Sequence, residues 1–236
     1  MKILKKILPE NFKRKVKEEL GVPSLHWSLE NIKRMGFIPS FVIDGGAYEG
    51  YWTKDFSEVF PDAQVLMLEA QAGKEKYLKA ICDENKRLHY HIGLLSDEDG
   101  KELAFMENET ASHVIADRDG SGIKLIRSES LDAIIERRQF PYPDFIKLDL
   151  QGFELEVLKG SEKCIANTEF CLLEVSLLDL GGTPLMLEVM NYMHEKGFQA
   201  YDICQFMRRP YDQALYQIDL LFIKKTSLLI AQKRWD

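Results

Sequence analysis

The stretch Phe41-Val-Ile-Asp-Gly-Gly-Ala-Tyr-Glu-Gly50, with the acid that ends Val65-Leu-Met-Leu-Glu69 25 positions after Asp44, decides how this chain folds. An apolar run of strand length, a glycine turn, a helical stretch and a second apolar run spell out a β-α-β unit of a parallel sheet. In an open α/β sheet, ligands settle beyond the carboxyl ends of the strands. An acid ending the second strand can there accept hydrogen bonds from ribose hydroxyls. The unit is therefore expected to bind a nucleoside.

The order of the glycines narrows the ligand. A dinucleotide fold wants G-x-G-x-x-G, with a helix N-terminus facing a pyrophosphate. Asp44-Gly-Gly-Ala-Tyr-Glu-Gly50 does not fit that register, and Glu49 before the helix sets negative charge where a pyrophosphate would lie. The acids suit a cationic nucleoside without phosphate. S-adenosylmethionine, with its sulfonium, ammonium and ribose, is such a ligand.

Outward from this unit the strand and helix signals alternate. Ser28 is read as the cap of a helix to about Met35, a small lid ahead of the sheet, ended by Gly36. Trp52, Phe56, Val59 and Phe60 recur at helical spacing and are expected in the core. A helix over 74–86 leads to a strand from Leu88 to Ile92. Residues 93–127, with turn sequences at Asp97–Gly100 and Asp117–Gly122, read as a β-rich excursion over the strand ends. A helix capped by Ser130, strands Phe145–Asp149 and Phe170–Glu174, a helix over 184–196, and strands Phe198–Ile203 and Tyr216–Ile223 complete the series. The reading is an α/β fold, a largely parallel sheet with helices on both faces.

The 236 residues suit one domain at 39–236 behind an N-terminal helical extension at 1–38. A net charge of -7 argues against a nucleic-acid partner, which would need a basic face. The four cysteines, Cys82, Cys164, Cys171 and Cys204, lack metal-site spacing and read as reduced core thiols of a cytoplasmic protein. No apolar run approaches the ~20 residues of a membrane span, and no signal peptide is apparent. Residues 2–19 mix lysines with Ile3, Leu4, Ile7, Leu8, Phe12 and Val16. Such a basic amphipathic pattern can touch an anionic membrane, but Pro9 and three glutamates favour a solvated helix packed on the main domain.

Chemistry is expected at a second turn. Lys147 and Asp149 share one face near the end of an otherwise apolar strand, where charge is costly unless paired or used. Glu154 follows in the turn, and Glu174 ends the neighbouring strand. These acids can hold an ammonium, deprotonate a substrate hydroxyl or bind a divalent cation, or Lys147 can form an ion pair that serves only the fold. No set of residues is assigned to a metal. His113, in the excursion, can act as a base over the pocket. His89 and His91 share a strand face without a third ligand and read as sheet residues. No nucleophile motif of the Gly-x-Ser-x-Gly kind occurs.

Val42-Ile-Asp-Gly-Gly-Ala-Tyr-Glu-Gly-Tyr-Trp-Thr53, Phe145-Ile-Lys-Leu-Asp-Leu-Gln-Gly-Phe-Glu154 and Glu156-Val-Leu-Lys-Gly160 together resemble the FkbM family of S-adenosylmethionine-dependent methyltransferases. The family pattern I-K-[IL]-D-[VL]-[EQ]-G-[AFY]-E is met at Lys147, Asp149, Gly152 and Glu154, with Gln151 where many members have Glu. The first motif, commonly D-V-G-A-N-x-G, departs at Gly45 and Tyr48. The resemblance spans residues 41–225. It implies a Rossmann-like class I methyltransferase fold with a mostly parallel seven-stranded sheet whose last strand is antiparallel.

It further implies cofactor contacts at Asp44, Gly46, Ala47, Tyr48, Gly50, Thr53, Glu69, Ala70, Ser96 and Asp149, the Leu94–Asp97 segment lying near the adenine. Asp149, Glu174, Lys147 and His113 are then the candidates for catalysis. The expected reaction is O-methylation of a hydroxyl on a sugar, glycolipid or secondary metabolite. The alternative is a cofactor-binding or scaffold protein of the same fold without turnover.

Overall fold

A computed structural model describes residues 19–115, 122–233 and 235. The basic stretch at 2–18 and the Asp117–Ser121 part of the second excursion turn lie outside them. Seven strands form one sheet: β1 (Phe41–Gly45), β2 (Gln64–Glu69), β3 (Leu88–Ile92), β8 (Phe145–Leu148), β9 (Phe170–Ser176), β10 (Phe198–Arg208) and β11 (Leu215–Lys224). Their order is β10-β11-β9-β8-β1-β2-β3. The pairs β1 with β2, β1 with β8, β8 with β9 and β2 with β3 are parallel. The last strand, β11, runs antiparallel between β9 and β10. This is the mostly parallel seven-stranded sheet, its last strand reversed, that the resemblance implies.

Apolar residues alternate through the sheet and make two cores, as period-2 geometry requires. Phe41, Ile43, Ile146, Leu148 and Leu173 face α4 (Leu131–Arg138), α5 (Glu154–Lys159), α6 (Glu162–Asn167) and α7 (Met186–Glu195). Val42, Val65, Met67, Phe145 and Leu172 face α1 (Leu25–Arg34), α2 (Tyr51–Val59) and α3 (Glu75–Glu84). On the second side an aromatic cluster joins Phe37, Trp52, Phe56, Phe60, Phe145 and Phe170, with Phe37 edge-on to Phe170 at 4.8 Å between ring centres. Phe56, Phe145 and Phe170 are fully buried, each worth roughly 1.5–3 kcal/mol of transfer free energy. Trp52 and its helical partners are core, as their spacing predicts.

Three local readings need correction. Ser24, not Ser28, stands at the N-cap of α1. Ser28 lies inside the helix, where its hydroxyl donates back to the Ser24 carbonyl and across to Asp202 Oδ2 at 2.7 Å. A serine can bond to its own helix this way, so its presence alone does not locate a start. Nor is α1 a lid, since it packs against α2 and β10 on the outside of the sheet. Finally, the short α6 went unread, because six residues carry too little periodicity to register.

The excursion is a small sheet of its own, ordered β4 (Leu94–Leu95), β7 (Ile123–Glu129), β5 (Glu102–Met106), β6 (His113–Ile115). Parallel pairing of Leu94 and Leu95 with Ser128 and Glu129 roots it beside β3. From that root the β5–β6 hairpin reaches over the ends of β1 and β2 as a flap. Among the described residues no helix is long and apolar enough to cross a membrane.

Candidate active site

Beneath the glycine turn lies a buried ion pair. Asp44 and Lys147 are register partners on β1 and β8, so their side chains leave the same face. Lys147 Nζ is 3.0 Å from Asp44 Oδ1 and also donates to the carbonyls of Gly45 and Gly46. The other Asp44 oxygen accepts from Thr53 Oγ1, brought in by α2, at 2.7 Å. Asp44 is wholly buried and Lys147 nearly so. The lysine's charged form is held by Asp44 and Asp149 against the cost of burial. A buried pair of this kind contributes to stability only while every donor and acceptor is used. Here the ammonium nails the turn to β8.

The turn above can be made only with glycine at position 46. Gly46 has φ +73°, and a Cβ there would stand 2.0 Å from the Asp149 carbonyl oxygen. Its N–H and that of Ala47 donate to the Leu68 carbonyl. Tyr48 follows with φ +50°, directing its own N–H to Glu69 Oε2 at 2.8 Å. The second Glu69 oxygen accepts from Gln71 N at 2.8 Å. Two backbone donors thus fix the carboxylate plane at the end of β2 and leave lone pairs over for a ligand.

A cleft opens between this wall and the flap. Gly46, Tyr48, Glu69, Ala70 and Gln71 line one side, Phe105, Glu109, Thr110, Ser112 and His113 the other, and Leu94, Leu95, Asp149, Leu150 and Gln151 the ends. At its far end three strands deliver acids. Asp149 follows β8, and Glu174 on β9 is the register partner of Asp219 on β11. The Gln151 amide bridges Asp149 Oδ1 at 3.0 Å and Glu174 Oε2 at 2.9 Å. Burial, with Asp149 second, pushes Glu174 up to about 9, and burial with the same neighbour pushes Asp219 up to about 6. Burial and the neighbouring carboxylates thus favour the protonated form of Glu174. Asp149 is close to half exposed, so it is the acid of this group with access to the cleft.

Glu154 serves the turn. It is buried, and its Oε1 accepts from Leu150 N at 2.7 Å and Gly152 N at 3.3 Å. Burial outweighs these bonds and raises its carboxyl to about 7. Across the cleft, His113 Nδ1 lies 2.9 Å from the Ala111 carbonyl. A carbonyl only accepts, so Nδ1 carries the proton and the neutral ring presents Nε2 as an acceptor.

A family model described as the methyltransferase FkbM domain matches residues 44–200, more than half of the chain and both turns of the site. The chain belongs to the FkbM methyltransferase family. The hexuronic acid methyltransferase AglP of Haloferax volcanii is 35% identical to it over 54 residues, 23% of each chain. A crystal structure of methyltransferase FkbM from Methylobacillus flagellatus superimposes with a TM-score of 0.51 at 18% identity, covering 78% of this chain and 43% of that one. The aligned part is under half of either relative's length, and the likeness to the second is one of fold.

Within this FkbM domain the expected site residues divide into two shells. Gly46, Tyr48, Glu69, Ala70, Asp149 and His113 line the cleft. Asp44, Thr53 and Lys147 form the polar anchor beneath it, and Glu174 stands behind Gln151. Ala47 belongs to the core on the α2 side. Gly50 is a packing glycine, its absent Cβ leaving room for Ile81 and Met67. Ser96 is buried and turned to Asp97, so Leu94 and Leu95 of that segment are the cleft residues instead. His91 pairs with Glu129 at 2.6 Å, and His89 packs on Phe140, as expected of sheet residues. Among the described residues no three His, Cys, Asp or Glu side chains are grouped as metal ligands. Gln71 and Glu109 carry no sequence signal because they sit in short turns where spacing says nothing, and Phe105, an ordinary inward residue of β5, reads as sheet core rather than as a cleft wall.

Proposed function

We propose that this chain transfers the methyl group of S-adenosylmethionine to a hydroxyl oxygen of a sugar, glycolipid or other small acceptor. The observation that carries the reading is Glu69: a carboxylate fixed by two backbone N–H groups at the end of β2, facing a cleft whose walls hold no unpaired cation among the described residues. A ribose diol fits such an acceptor, and a phosphate does not. Glu69, Tyr48 and Ala70 would hold the nucleoside, with Leu94 and Leu95 against its base.

When bound, the cofactor supplies an electrophilic methyl on a sulfonium. The residues must then hold the acceptor oxygen in line with the methyl carbon and take up one proton. Asp149 or His113 Nε2 would take up the hydroxyl proton as the acceptor oxygen receives the methyl group, with S-adenosylhomocysteine as the other product. Glu174 stands behind Gln151 and outside the cleft lining, so it is placed to hold Asp149 through that amide rather than to act as the base. The relative named for hexuronic acid supports a carbohydrate acceptor over its short matching stretch.

Calorimetry with S-adenosylmethionine and S-adenosylhomocysteine tests the cofactor, and a labelled-methyl screen of uronic acids, glycolipids and cell extract tests the acceptor. Absence of binding to the wild-type protein would sink the reading. Binding without methyl transfer to any of these would favour a cofactor-binding protein without turnover.

A further inference from the structure

Among the described residues, the flap tip is hydrogen-bonded to the wall around Glu69 through one residue, Glu109. Tyr48 Oη donates to Glu109 Oε2 at 2.5 Å, and Lys74 Nζ donates to the same oxygen at 2.7 Å. The Glu109 carbonyl accepts from Gln71 Nε2 at 3.0 Å and from Ser112 Oγ at 2.8 Å. Lys74 also lies 3.9 Å from the centre of the Tyr48 ring and 3.1 Å from Glu49 Oε1. Among the described residues, the hydrogen bonds that the flap tip, residues 107–113, makes beyond the flap all run through Glu109. Its remaining bonds, such as Asn108 N to Ser112 Oγ and Lys124 to Glu107, are internal.

Three further features set this contact apart from a chance surface pair. Glu109 has φ +47°, a left-handed conformation that costs a non-glycine residue energy and persists only where surroundings enforce it. Tyr48 and Gln71 are also the two residues whose backbone N–H groups hold Glu69, so the flap and the ribose acceptor are held by the same pair. And with the contact made, the cavity measures about 120 Å³, below the ~300 Å³ at which sites for small molecules and cofactors begin. The space enclosed under the flap is thus smaller than such a site.

We infer that Glu109 is a latch: it holds the β5–β6 flap shut over the cleft, and the latch must open before a nucleoside cofactor can enter. Tyr48 is the keeper of the latch, which gives a use to the aromatic residue found where the family commonly has asparagine. Lys74 supplies the countercharge. Because Tyr48 and Gln71 each bond both Glu69 and Glu109, Tyr48 at the Glu109 carboxylate and Gln71 at its main-chain carbonyl, a ligand that engages Glu69 acts on the two residues that hold the flap. Any coupling between flap and ligand is then reciprocal.

The inference rests on the nucleoside-cofactor reading for its ligand but not for its motion, so two measurements are paired. The first is hydrogen exchange of residues 102–115 in the free protein, and the second is the association rate of S-adenosylhomocysteine on immobilised protein. Glu109→Ala and Tyr48→Phe should each speed flap exchange and raise the association rate roughly three- to fivefold, the range open to exposed charged contacts. Glu109→Gln, which keeps an acceptor for Tyr48 but loses the charge that pairs with Lys74, should fall between. Unchanged flap exchange in Glu109→Ala overturns the latch whether or not ligand binds. Faster exchange with an unchanged association rate overturns its role in entry. If the wild-type protein binds no S-adenosylhomocysteine, the cofactor reading falls and exchange alone decides whether the latch exists.

Discussion

At the scale of single residues, Asp44 and Lys147 show why a charge in an apolar strand is informative without revealing its use. The two lie in strands whose other residues are buried and apolar, which is legible in the sequence. That they are register partners is not, because pairing depends on sheet order. Lys147→Met leaves Asp44 buried with Thr53 as its remaining side-chain partner, and should cost about 3–5 kcal/mol in a urea melt. Asp149→Asn keeps the shape of the cleft but removes a proton acceptor. It should lower methyl transfer to an identified acceptor by about 10²-fold, with S-adenosylhomocysteine affinity within about threefold of wild type. His113→Ala in the same assay ranks the second acceptor. An unimpaired Asp149→Asn would move the base to His113. Tyr48 carries a missed signal: asparagine, common there in the family, is among the residues that best tolerate left-handed backbone, so a turn with φ above zero could have been anticipated.

At the scale of elements, the strands around the site were legible because each is a short buried run bounded by turn residues, and buried parallel strands read that way. Leu215–Lys224 and Phe198–Arg208 were recognised as strands but extend beyond their expected bounds. They pair with each other through a bulged ladder, and bulges break the alternation that marks a strand's end. The excursion was legible as β-rich and as a cover, since its polar turns rule out a core element. Its contacts were not, for Glu109 reaches partners 61 and 35 positions away. The turn after β1 supplies the sharpest test at this scale. Gly46→Ala would drive a Cβ against the Asp149 backbone oxygen and force β1 and β8 apart. Loss of S-adenosylhomocysteine binding together with a destabilisation of about 2–4 kcal/mol is expected from thermal and calorimetric measurements.

At the scale of the whole molecule, the buried acids around the second turn make folding stability depend on pH. Glu174, Glu154 and Asp219 are raised to about 9, 7 and 6. The folded protein therefore binds more protons than the unfolded chain once pH passes the ordinary carboxylate range, and stability falls as pH rises from there toward 9. Glu174→Gln removes the largest of these penalties while keeping an acceptor for Gln151. Its melting temperature should match wild type near pH 4.5 and exceed it by about 2–4 °C at pH 9. Equal melting at both pH values would show that Glu174 ionises freely. The sheet order has a consequence for synthesis as well. The last strand, β11, is an interior strand, seated between β9 and β10. A nascent chain still lacking residues past 214 can assemble the nucleoside half of the site around β1 and β2, yet it keeps β9 as a bare hydrogen-bonding edge. Until the last strand inserts, the emerging protein is exposed to pairing with other chains, and this is the interval in which a chaperone or a crowded polysome would decide its fate.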